Sequence, residues 1–161
     1  GGLDLVVRTD SEPVGHHILT PHGGELCRLL NRLELGFWHP EKLDDATQAR
    51  KAVALAAEAT GHTVLLKGAI TRIAAANGES VEVGPNSPWL ATAGTGDVLA
   101  GLIGGIAAQN PEVAAANWLD IAVLAVELHS SAAEMAAAGG AVTASGVASG
   151  ISQALRQRFS R

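Results

Sequence analysis

Cysteine is almost absent from the 161 residues: Cys27 stands alone. With no second thiol for a disulfide or a zinc clip, nothing points to an oxidising compartment, and the cytoplasm is the expected location. Charge is scarce as well, Asp, Glu, Lys and Arg together making up 17% against roughly a quarter in typical soluble domains. That scarcity, beside 47% hydrophobic residues, excludes disorder and a solvated coiled coil. Lys and Arg number 11 against 16 for Asp and Glu, a net charge of -5, and no basic stripe runs along the chain, so nucleic acid is not expected as a partner. Long apolar runs are missing too. The longest, residues 98–108 between Asp97 and Gln109, falls short of the roughly 18 to 20 residues that span a bilayer, so no membrane partner is expected. The chain opens Gly1-Gly2-Leu3-Asp4 with neither methionine nor a cationic leader, an opening that does not read as a signal peptide and raises the expectation of an upstream part. There is no solenoid repeat and no low-complexity linker, and the length suits one domain or a large piece of one.

What is present alternates between strand and helix signals. Residues 5–7 and 17–19 are short, branched and bounded by Asp, Pro and Gly, as strands are. The second runs into the turn Thr20-Pro21-His22-Gly23-Gly24, after which residues 25–31 predict a short helix with an acid in its first turn. Residues 33–40, with Phe37 and Trp38, predict a loop and a contact surface outside the core. Apolar positions Ala46, Ala49, Val53, Ala56 and Thr60, followed by Gly61, predict an amphipathic helix over 44–60. Residues 63–67 then predict a buried strand, and 71–75 and 81–83 a hairpin turning at Asn77-Gly78. Residues 94–109 are apolar nearly all round, which predicts an interior helix whose Gly101, Gly104 and Gly105 admit other backbone closely. Asn110-Pro111-Glu112 opens a long Ala-rich helical stretch ending by Gly139-Gly140. Val147, Ile151, Leu155 and Phe159 mark a last helix. The class is α/β, with few strands for a complete sheet.

Three turns carry candidate chemistry. In Ala91-Thr92-Ala93-Gly94-Thr95-Gly96-Asp97 the small residues leave the backbone open, so the N–H groups of Gly94, Thr95, Gly96 and Asp97 can converge on an anion at a helix N-terminus. A carboxylate in the same turn suits a general base beside a phosphoryl-transfer centre; read alone, the same residues also describe a plain tight turn. A Rossmann fingerprint fits poorly, with Leu99 in place of the third glycine, and no Walker A lysine exists. Lys67-Gly68-Ala69-Ile70-Thr71 offers a cation, a small residue and a hydroxyl at a strand end, which a diphosphate can use, although a solvated lysine before an ordinary hairpin would look the same. Thr20-Pro21-His22-Gly23-Gly24-Glu25 places a titratable histidine at another strand end. His129 has Glu134 five positions on rather than four, so it is not a zinc motif and is expected to be a satisfied helix histidine. His16, His17, His39 and His62 show no mutual ligand spacing, and Cys27 has no base partner. No metal ligand set is expected.

Together and in this order, LTPHGGE (19–25), VLLKGAIT (64–71) and LATAGTGDVLAGLIGG (90–105) resemble the ADP-dependent NAD(P)H-hydrate dehydratase family, with weaker likeness at 128–133, at Ala144-Ser145 and at Gly2-Leu3-Asp4-Leu5. The GTGD turn recurs across ribokinase-like kinases, whereas TPHxGE narrows the choice. The resemblance implies a ribokinase-like layered fold, helices on a central, mostly parallel sheet, of which residues 1–161 would be the C-terminal portion of a single domain. It implies that ADP phosphorylates the hydroxyl of hydrated NADH or NADPH and that phosphate is then eliminated, leaving NAD(P)H and AMP. On that pattern Asp97 is the base contacting the hydrate, His22 lines the hydrate pocket, Lys67, Gly68, Ala69, Ile70, Thr71 and Gly96 hold the adenine nucleotide, and magnesium accompanies the diphosphate. The sequence departs from the family pattern at Ser130, Glu134 and Gly146. A small-alcohol or vitamin-precursor kinase, and a noncatalytic adenine-nucleotide-binding module, remain the alternatives; self-association is expected on general grounds.

Overall fold

The computed structural model describes residues 17–138 and 140–160; the strand expected at 5–7 and the residues Gly2 to Leu5 lie outside them. The chain divides into two compact units, Gly1–Glu82 and Val83–Arg161.

The first unit is a small α/β layer. Its elements are β1 (Ile18–Leu19), α1 (Gly23–Arg32), a 3-10 turn at Pro40–Asp44, α2 (Ala46–Thr60), β2 (Thr63–Leu66), β3 (Thr71–Ala74) and β4 (Ser80–Val83). The strands form one four-stranded sheet in the order β1-β2-β3-β4. β1 runs parallel to β2, with Leu19 opposite Val64, as a connection through helices requires. β3 runs antiparallel to β2, with Leu66 opposite Arg72. The described sheet is therefore mixed rather than mostly parallel, because the chain leaves β2 through short turns and adds its next strands as a hairpin. Asp45 caps α2 by accepting the Gln48 N–H at 2.8 Å, and Gly61, at φ 70°, ends it. Ala49, Val53, Ala56 and Ala57 of α2 and Leu26, Leu29 and Leu30 of α1 pack with Leu19, Val64 and Leu66 into one core. Trp38 belongs to that core, only 4% exposed, which corrects its expected place on a contact surface. Its indole N–H donates to the Leu35 carbonyl at 2.9 Å, and the Asn31 side chain holds its backbone from both sides. Phe37, 80% exposed, is the outward member of the pair.

The second unit is helical: a 3-10 turn at Pro88–Ala91, α3 (Thr95–Gln109), α4 (Pro111–Ala116), α5 (Trp118–Ala137) and α6 (Ala144–Phe159). Two expectations change here. Among the described residues α3 is covered on one face: Thr95, Leu99, Ile103 and Ala107 are buried, whereas a Cβ built on Gly101, Gly104 or Gly105 meets none of them within 4 Å. Its two faces differ in side-chain size rather than polarity, and small apolar residues lose little by facing water. The close approach sits elsewhere, at Gly150 of α6, where a Cβ would come 2.8 Å from the Ala132 carbonyl of α5. The Ala-rich stretch also breaks at Asn117, whose side chain accepts the Leu119 N–H at 2.9 Å and starts α5 anew. Asn110 does not cap α4; its amide donates back to the Ile106 carbonyl at the end of α3. In α6, Val147 and Ala154 are the buried positions, and Phe159 is 65% exposed. Strict four-residue spacing drifts round a helix of 3.6 residues per turn, carrying the stripe's last member out of the core. No described helix is long and apolar enough to cross a membrane.

Candidate functional site

In the first unit, the histidine turn and the lysine turn meet. The parallel ladder continues one step beyond β1 and β2, the Lys67 N–H donating to the Pro21 carbonyl at 3.0 Å. His22 is the N-cap of α1 and part of a capping box. Its Nδ1 accepts the Gly24 N–H at 3.1 Å, while Glu25 Oε2 accepts the His22 backbone N–H at 2.8 Å. A Cβ on Gly24 would stand 3.1 Å from the imidazole Cε1, so glycine there gives the ring room to fold over the helix start. Because Nδ1 is spent as an acceptor, the proton of the neutral ring sits on Nε2, on an exposed side chain. The neutral imidazole is thus a hydrogen-bond donor toward solvent or ligand.

Glu25 holds more than the cap. Its Oε2 lies 3.6 Å from His22 Nε2 and 4.0 Å from Lys67 Nζ, with both Glu25 and Lys67 half-buried. From sequence it counted only as a first-turn acid; its position three residues after a helix-capping side chain, the capping-box spacing, was the signal available. Beyond Lys67 the chain turns tightly: a Cβ on Gly68 would meet the Ile70 carbonyl at 3.2 Å. Gly68 and Ala69 are exposed, Ile70 is intermediate and Thr71 is buried in β3. The cation and the exposed turn residues Gly68 and Ala69 are adjacent, with Thr71 buried at the start of β3.

In the second unit, Gly94 adopts φ 85° and a Cβ there would touch Ala144 Cβ at 3.1 Å, so both conformation and space require glycine. Thr95 Oγ1 lies 2.7 Å from the Leu90 carbonyl and 2.8 Å from that of Thr92, locking the turn from beneath. Two of the four N–H groups expected to face an anion are used inside the turn, Thr95 N–H on the Thr92 carbonyl at 3.3 Å and Asp97 N–H on the Gly94 carbonyl at 3.1 Å. Of the four expected, the N–H groups of Gly94 and Gly96 are not used in these turn bonds. The Asp97 side chain is exposed on the first turn of α3. Behind the turn, His129 of α5 is buried and its Nε2 has no partner among the described residues, so it is less satisfied than expected. Burial pushes its pKa below the usual histidine value, with the Thr95 main chain acting in the opposite sense. Cys27 is buried, which raises its thiol pKa and suits a core residue rather than a nucleophile. His17 and His62 touch edge to face at 5.0 Å. Among the described residues, no three His, Cys, Asp or Glu side chains converge on a metal position.

The sequence model of the NAD(P)H-hydrate dehydratase family matches residues 1–155. The chain is 43% identical over 108 residues to the bifunctional NAD(P)H-hydrate repair enzyme Nnr of Synechocystis sp., a match covering 63% of this chain and 18% of that protein. Its fold superposes on the ADP/ATP-dependent NAD(P)H-hydrate dehydratase from Bacillus subtilis co-crystallized with ATP/Mg2+, with a TM-score of 0.73 and 26% identity over 93% of this chain and 50% of that one. A ribokinase-like superfamily protein from Enterococcus faecalis matches with a TM-score of 0.66 and 27% identity over 96% of this chain and 50% of that one. The chain thus spans under a quarter of the repair enzyme and half of each solved chain. With its motif turns standing where strands end and a helix begins, the chain belongs to the NAD(P)H-hydrate dehydratase family and has a ribokinase-like α/β fold.

Proposed function

We propose that this chain is the C-terminal portion of one dehydratase domain that restores hydrated NADH or NADPH at the expense of ADP, in the cytoplasm. The observation that carries this is the joining of the histidine and lysine turns at one end of the sheet, which brings the His22 imidazole and the Lys67 ammonium to the same Glu25 carboxylate. In the first unit, Lys67, Gly68, Ala69, Ile70 and Thr71 are assigned to the adenine nucleotide, and His22 Nε2–H to the hydrate. The GTGD motif and the family resemblance give Gly94 and Gly96 an anion-binding role and the Asp97 carboxylate that of base. Magnesium, bound with the nucleotide, would neutralise charge on the diphosphate.

In the reaction, Asp97 takes the proton of the hydrate hydroxyl as its oxygen attacks the terminal phosphorus of ADP. The bond to the bridging oxygen breaks and AMP leaves. The carbon–oxygen bond of the phosphorylated hydrate then breaks, phosphate departs, and loss of a proton from the neighbouring ring carbon restores the double bond. The test is ADP-dependent recovery of NADH absorbance from its hydrate by the full-length protein. Asp97→Asn is expected to lower kcat by about 10²- to 10⁴-fold with ADP affinity preserved. Near-parental turnover would remove Asp97 from the chemistry, and a stable phosphorylated alcohol made with ATP, without NADH recovery, would favour the kinase alternative.

A further inference from the structure

A recess between α2 and the β3–β4 hairpin contains two guanidinium groups that share one carboxylate. Arg50 of α2 binds Glu82 of β4 with two arms, Nε to Oε1 at 3.0 Å and Nη2 to Oε2 at 3.1 Å. Arg72 of β3 donates to the same Oε1 at 2.7 Å. The Arg50 hydrogen bond first, and then that of Arg72, hold the Glu82 carboxyl below its usual range. Lys51 lies on the rim, so three cations face one anion on a chain whose net charge is -5. The Arg72 side chain is only 16% exposed, and a sheltered guanidinium sharing half a carboxylate is under-compensated. Val53 and Ala54 of α2 and Ala74 of β3, which lies on the same sheet face as Arg72, form an apolar floor, and the cavity measures about 480 Å³, within the range of small-molecule sites. Strand alternation puts Arg72 on the opposite sheet face from Thr71, so the recess is separate from the lysine turn.

We propose that this recess binds an organic anion, a phosphate or carboxylate head on an apolar body. The head takes guanidinium N–H donors that Glu82 leaves unused, since each Arg carries five, and the body covers the floor. The site is independent of the proposed dehydratase reaction.

The test is an NMR titration of the isotope-labelled chain with n-hexyl phosphate, in the presence of saturating AMP to occupy the proposed nucleotide turns. Inorganic phosphate and hexanol serve as parallel probes. Saturable shifts are expected at the Arg50 and Arg72 side-chain N–H signals and at the Ala54, Ser80 and Glu82 amides. Hexyl phosphate should bind at least about tenfold more tightly than either half-probe, because head and body contribute together. Arg50→Gln and Lys51→Gln, both at exposed positions, should each weaken it about three- to tenfold; Lys51→Gln leaves the Glu82 contacts intact. Shifts confined to residues 67–71 or 94–97, equal affinity for all three probes, or affinity untouched by both substitutions would each overturn the proposal.

Discussion

Glu25 and Lys67 face each other across the two motif turns of the first unit, Oε2 to Nζ at 4.0 Å. A ligand phosphate would compete with Glu25 for that ammonium. Lys67→Ala should therefore weaken ADP binding about ten- to hundredfold, the range for losing a charged hydrogen bond. Glu25→Gln keeps an oxygen for the His22 N–H but removes the competing charge, and should tighten ADP binding about threefold. Calorimetric titration reads both; if neither moves, the lysine turn does not hold the diphosphate.

The glycines of the second unit give opposite signs. Gly150→Ala forces a Cβ against the Ala132 carbonyl and should cost about 1–3 kcal/mol. Gly104→Ala adds a methyl in open space and should stabilise α3 by up to about 1 kcal/mol through helix propensity. Urea unfolding of this chain separates the two. A destabilising Gly104→Ala would mean that the small face of α3 is covered.

Neighbours Phe37 and Trp38 should behave as unlike residues. Trp38→Ala removes a buried ring and the indole bond to Leu35, at a cost of about 3–5 kcal/mol. Phe37→Ser, at an exposed position, should stay within about 0.5 kcal/mol. The same unfolding measurement checks both, and a large loss from Phe37→Ser would contradict its placement.

His129 makes stability depend on pH. Its pKa is lowered in the folded protein by burial, so the unfolded chain takes up the proton first as pH falls. Stability is fully present above the unfolded value of about 6.5 and is lost progressively as pH drops toward the folded value. The melting temperature should fall between pH 7.5 and 5.5, and His129→Gln should flatten that fall. The carboxylates with lowered pKa, Glu41 and Glu82, titrate further toward acid and leave this window to histidines. An unchanged slope in the variant would place the dependence on another group.

Helices whose ends carry their own punctuation were legible in the sequence. Asp45 and Gly61 bracket α2 within two residues of the expected span, and Asn77-Gly78 turns the hairpin. The three motif segments were legible as turns, since their glycines and polar side chains answer to local geometry. What escaped depends on distant contacts. Trp38 is buried because Asn31, on the preceding helix, holds its backbone, which adjacency to Phe37 conceals. α3 read as an interior helix because hydropathy does not separate Leu and Ile from Gly and Ala by size. The double use of Glu25 was hidden because Lys67 lies far along the chain and comes near only through the β1–β2 pairing.

The His22 cap has one further consequence. The atom that receives the Gly24 N–H to begin α1 also decides where the imidazole proton sits, so helix fraying and ligand recognition become one equilibrium. When the first turn opens, Nδ1 is released, the ring can exchange tautomers and rotate, and the donor ceases to be aimed. A ligand that grips Nε2–H must then slow deuterium uptake at the Gly24 amide, reporting its own binding through a backbone proton it never touches.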